Sequence, residues 1–68
     1  MLMMGDKLPQ WYLDESTPRL KRLGELSPIA YPNKIPQDIE GRKKMYLARE
    51  EWDRLMAEQS EAEVNAGL

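Results

Sequence analysis

The apolar positions of this chain form one long helical pattern towards the C-terminus, preceded by several short, interrupted ones. Residues 35–63 read IPQDIEGRKKMYLAREEWDRLMAEQSEAE. At 100° per residue this stretch gathers apolar side chains on two sides of a helix. Met45, Ala48, Trp52, Leu55, Gln59 and Ala62 follow the alternating three- and four-residue spacing of a packing seam, with Met56 beside it. Ile35, Ile39, Tyr46 and Val64 gather on the other side, and Leu47 falls outside both stripes. From Met45 onward the residues are mostly strong helix formers, with no proline. The pattern predicts an amphipathic helix over 35–64, roughly 40 Å long at 1.5 Å per residue. Pro36 suits its first turn, Asn33 offers an N-cap, and Asp38 and Glu40 put negative charge near the positive end of the dipole. Gly41 marks a slight bend, a break or a close backbone approach, and residues 65–68 are expected to fray.

Residues 1–34 read as an N-terminal arm. The start, MLMMGDKL, looks like a loose end or an apolar arm for a partner's groove. Trp11, Tyr12 and Leu13 are adjacent and cannot all face one way; Trp11 is the expected anchor on the long helix. Thr17, Pro18 and Gly24 supply the N-cap, first position and C-cap of a short helix at about 18–23, which would pack through Leu20 and Leu23. Leu26 would close that cap. Pro28, Pro32 and Pro36 then recur every four residues, each biasing its predecessor out of the helical region. This predicts an extended, polyproline-like connector in which Ile29, Tyr31 and Ile35 can point one way. The expected fold class is therefore small and all-α: one long C-terminal helix with a short N-terminal helix and an extended proline-rich arm packed on it.

Size and composition sharpen this picture. Sixty-eight residues allow one small domain, and chains of this length are marginal without a staple. There is no cysteine and no histidine, so disulfides and thiolate or imidazole metal sites are excluded. With a mean hydropathy of −0.73 and 32% charged residues, the core is thin, and the missing burial is expected from another chain. No apolar run approaches the roughly 20 residues of a membrane span, and MLMM is too short for a signal-peptide core. A cytoplasmic (host-cell) or virion location is expected, without secretion through a signal peptide.

Catalytic chemistry finds no support. The usual general base and the best nucleophile are absent, and Ser16, Ser27 and Ser60 have no activating partner. Glu50, Glu51, Asp53, Glu58, Glu61 and Glu63 are distributed around the helix and do not converge on a metal. No enzyme, cofactor or metal site is expected. The basic run Arg42, Lys43 and Lys44 is interspersed with acids at helix-stabilising spacing, including Glu50–Arg54, and reads first as a solvated face. Direct nucleic-acid contact through those three residues is the minor alternative, disfavoured by a net charge of −2.

The pairing of a proline-rich arm with one charged helix in a cysteine-free chain resembles, in style, small bacteriophage accessory proteins. The leading expectation is a non-enzymatic interaction protein: an accessory or structural subunit of a larger assembly such as a phage virion. Trp11, Tyr31, Trp52, Leu55 and Met56 would carry partner binding, because buried aromatics and methionines often dominate interfaces. A small inhibitor that docks on a host protein is the second reading. A homo-oligomer through the seam of the long helix is also open.

Overall fold

The computed structural model describes residues 8–68 and contains two helices, α1 (Gln10–Ala30) and α2 (Ile39–Asn65), with no strand among the described residues. They fold back on each other as an antiparallel hairpin of 48 × 18 × 15 Å. Tyr12 meets Gln59 at the open end, Arg22 meets Glu51 midway, and Arg49 meets the carbonyl of Ala30 beside the turn.

The first helix is the main correction to the sequence reading. It is not a short helix at 18–23 but a continuous one of 21 residues, running through Pro18, Gly24 and Pro28. Pro9 opens it, its carbonyl accepting from the N–H groups of Tyr12 and Leu13 at 3.1 and 3.3 Å. Thr17 and Gly24 are interior positions, not caps. The reason is tertiary. Tyr12, Ser16, Leu23, Leu26 and Ala30, with Arg19 between them, form a helical stripe turned towards α2. Two interior prolines at about 3 kcal/mol each outweigh one buried leucine at ~1.5–3 kcal/mol, so it is the whole stripe, Tyr12 and Ala30 as well as Leu23 and Leu26, that offsets the local preference to stop. Pro18 and Pro28 are exposed on the side away from α2, as are Asp14 and Gly24, whose carbonyls they leave without the usual helical donor. Leu26, expected to close a cap, is core.

Extended chain is confined to the connector after Ala30. Tyr31 ends α1, its N–H donating to the carbonyl of Ser27 at 2.9 Å. The guanidinium of Arg49 reaches across from α2 and donates to the Ala30 carbonyl at 2.7 Å, meeting both an unpaired acceptor and the negative end of the α1 dipole. The second helix starts four residues later than the pattern suggests. Asp38, not Asn33, is its N-cap, accepting from the Gly41 N–H at 2.8 Å. Pro36 stays in the connector and packs over Gly41, where a Cβ would lie 2.6 Å from the Pro36 Cβ. Gly41 therefore serves close approach, and the helix passes through it without a break.

At the other end, residues 65–68 do not splay away as expected. Gly67, at φ +84°, donates to the Val64 carbonyl, and the Leu68 N–H donates to the Glu63 carbonyl at 3.0 Å. These two bonds constitute a Schellman closure, which favours glycine at the left-handed position. Residues 1–7, read from the sequence as a loose end or an apolar arm for a partner, lie outside the described residues.

The seam on α2 faces α1. Met45, Ala48, Gln59 and Ala62 are buried, and Trp52 and Leu55 pack against the cluster of Leu26, Ala30 and Ala48. Trp11 was expected to anchor this contact, but it is 39% exposed and Tyr12 is buried instead. Leu20, expected beside Leu23, is 53% exposed. Gln59 is no defect in the seam. Its amide donates to the Tyr12 hydroxyl at 3.0 Å and its carbonyl accepts from Arg19 at 2.8 Å, so it fixes the register of the open end.

Candidate functional site

Two long helices packed face to face leave two flanks along their groove, and this sequence makes those flanks chemically different. On one flank Arg22 donates to Glu51 through two nitrogens at 2.8 and 3.0 Å, and Arg19 lies 3.7 Å from Glu58. The Arg22 guanidinium, by hydrogen bonding and by its charge, lowers the Glu51 carboxyl below its ordinary value despite some desolvation. The same hydrogen bond and the Glu51 charge raise Arg22. Both cross-helix ion pairs among the described residues lie here. Towards the turn, this flank carries a shallow depression of about 260 Å³ lined by residues including Leu26, Ile29, Lys44 and Leu47.

The opposite flank is apolar. Arg22 and Ile29 lie to one side of the α1 buried stripe, whereas Leu13 and Leu20, seven residues apart, lie to the other. On α2, Glu51 and Leu47 lie to one side of the seam, and Arg49, Trp52 and Met56 to the other. Leu13, Leu20 and Met56 are exposed, and Trp52 is half-buried. Tyr31, 49% exposed, stands edge-on to Trp52 with ring centroids 5.7 Å apart. Arg49 lies over the Tyr31 ring at 5.0 Å and within 5.9 Å of Tyr46, which links this flank to the outer face of α2.

That outer face bears the second apolar stripe of the long helix. Ile39, Tyr46 and Leu47, with Arg42 and Lys43, line an open depression of about 360 Å³. Ile39 is 84% exposed, and Ile35 and Val64 are exposed as well. Nothing from the described chain covers this stripe.

The expected partner-binding residues are thus divided. Tyr31, Trp52 and Met56 come together on the apolar flank. Leu55 packs inward on the core. Trp11 stands apart, stacked edge-on against Tyr12 on the ion-paired side. Sequence reasoning missed Leu13 and the bridging role of Arg49, and placed Leu20 inside. The seven-residue spacing of Leu13 and Leu20 is a usable signal only once α1 is known to extend through Pro18. The basic run is divided: Arg42, which donates to the Pro36 carbonyl at 2.9 Å, and Lys43 line the outer depression, while Lys44 borders the other one.

No family model matches this chain, and no curated protein or solved structure does either. The argument for function rests on the two flanks alone. Among the described residues no cluster of acidic side chains could hold a metal ion. No described helix is long and apolar enough to cross a membrane.

Charge is also divided along the hairpin. Lys34, Arg42, Lys43, Lys44 and Arg49 crowd the turn end, against Asp38 and Glu40. Beyond Arg49, the acids Glu50, Glu51, Asp53, Glu58, Glu61 and Glu63 are set against Arg54 alone. On α1 the same half carries Asp14 and Glu15 but also Arg19, Lys21 and Arg22, so the open end is the more acidic one without being free of cations.

Proposed function

We propose that this protein is a non-enzymatic interaction subunit, a small accessory or structural component whose apolar flank is covered by another chain within a larger assembly. The observation that carries this reading is the exposure of Leu13, Leu20, Tyr31 and Met56 along the length of one flank, while the opposite flank is bridged midway by ion pairs and exposes Trp11, Ile29 and Leu47 only towards its ends. A helix buries its apolar side against another element, and stable helical domains commonly build more than two helices around a core. Here the flank presents the side chains of such a core with no third helix from the described chain to receive them. Tyr31, Trp52 and Met56 are the contact residues retained from the sequence reading, joined by Leu13 and Leu20; Leu55 belongs to the core, and Trp11 lies on the other flank.

A bacteriophage particle is the assembly that the style of the sequence suggests. The same flank would serve a host-directed inhibitor, whereas a nucleic-acid binder gains nothing comparable, because Lys44 borders a different depression from Arg42 and Lys43.

Site-specific photo-cross-linking tests the reading. A cross-linking amino acid is placed at Met56 and, in a second variant, at Glu25, in cells that naturally contain the protein. The expected result is a discrete protein adduct from position 56 and none from position 25. Absence of an adduct from position 56, or equal capture from both positions, overturns the reading.

A further inference from the structure

We infer that the chain covering the apolar flank is a second copy of this protein, docked antiparallel so that two hairpins form a four-helix bundle. This rests on the docking reading above and adds the identity and orientation of the partner. Three observations favour a second copy.

The first is charge. In a two-fold pair whose axis crosses the hairpin, the turn end of one copy lies beside the open end of the other. Arg42 and Arg49 of one copy then lie towards Glu63 of the second, and opposite ends attract. Arg49 forms no ion pair among the described residues, and there the Glu63 carboxylate accepts from Gln59 and from no cation. A parallel pair would bring Arg42 and Arg49 of both copies to the same end, so orientation is selected by repulsion as well as attraction.

The second is register. Arg22 opposite Glu51 and Arg19 opposite Gln59 put Leu20 level with the Trp52–Met56 turn, midway along the hairpin. An axis through that level pairs Leu20 with its own copy and sets Met56 against the partner's Trp52. The longest apolar side chains of the flank thus meet at the centre, where interfaces concentrate their binding energy.

The third is size. The hairpin is 48 Å long and 15–18 Å across, so one whole long side of it offers a footprint on the order of the ~800 Å² per partner that a stable dimer buries.

The chain has no native cysteine, so single cysteines report the geometry cleanly. The experiment combines sedimentation equilibrium with oxidation of the variants Leu20→Cys and Leu13→Cys. The expected mass is twice the 8.0 kDa of the chain, with a dimer constant weakened about tenfold by raising salt from 0.1 to 1 M. Leu20→Cys is expected to form an intermolecular disulfide readily, and Leu13→Cys to remain reduced under the same conditions. Cross-linking of both, or of Leu13→Cys alone, overturns the antiparallel arrangement in favour of a parallel one. A monomer at every concentration overturns the second copy. In that case the thermal stabilities of Leu20→Lys and Met56→Lys separate the two levels of the argument. Unchanged stability leaves the flank open for a different chain, whereas a large loss shows the flank to be packed within the monomer and removes the docking reading too.

Discussion

The two flanks of this hairpin are built from the same two helices and solve the same problem in opposite ways. The ion-paired flank closes on itself: Arg22 and Glu51 satisfy each other, and Arg19 is held by Gln59 with Glu58 beside it. The apolar flank has nothing comparable, and its Leu20 and Met56 face outward. Exposed ion pairs contribute little to stability but exclude apolar neighbours, because docking a hydrophobic surface there would desolvate charge. Exposed leucine and methionine carry no such cost. The middle of one flank is therefore protected against association, with Trp11, Ile29 and Leu47 exposed only towards its ends, and the other flank is available for it along its length.

The comparison can be broken most severely from the interior the flanks share. Leu26→Ala removes the side chain that packs Ala30 and Ala48 and is expected to cost ~2–5 kcal/mol, read as a lowered denaturant midpoint with little residual helical signal. Gln59→Ala removes the amide between Tyr12 and Arg19 and is expected to cost about 1–3 kcal/mol, with an early loss of amide protection at the open end. A loss confined to the turn end would contradict its role in register.

Glycine substitutions sharpen the contrast between open surface and tight approach. At Gly24 an added Cβ meets nothing within 4 Å, so Gly24→Ala should stabilise by about 0.5–1 kcal/mol. Gly41→Ala should destabilise, because Pro36 and Asp38 must move to admit it. Melting temperatures that shift in the same direction would refute the assignment of Gly41 to close approach.

Smaller effects distinguish the flanks themselves. Glu51 has a folded-state pKa below its ordinary 4.5, so its pairing contributes fully above the unfolded value and is lost as pH falls through the folded one. Glu51→Gln should therefore flatten the acid limb of stability below about pH 4.5 and leave it unaltered near neutrality in slope. On the other flank, Met56→Lys should leave the dilute monomer within ~0.5 kcal/mol of wild type while abolishing association. Equal sensitivity of both flanks to charge would erase the distinction.

Much of α2 was legible because its seam from Met45 to Ala62 repeats at helical spacing with few breakers. The stripe of α1 was not, since two of its inward positions are Ser16 and Arg19 and its local grammar includes Pro18, Gly24 and Pro28. Burial against α2 overrides those signals, and nothing local encodes it. Ser16 even keeps a buried hydroxyl without a hydrogen-bond partner, which no hydrophobic pattern would place inside. The site was legible in pieces. Tyr31, Trp52 and Met56 stood out by type, but their grouping with Leu13 and Leu20 depends on which side of each stripe they occupy. That information exists only once both helices have their lengths.

The most direct test of the central claim is the rate of peroxide oxidation at Met56, with Met45 as the internal reference, mapped by peptide mass across protein concentration and in the native assembly. Met45 is 2% exposed and Met56 42% in the single hairpin. The account predicts rapid oxidation of Met56 in the dilute monomer, falling towards that of Met45 as the flank is covered. Rapid oxidation of Met56 in every state, the native assembly included, would contradict it.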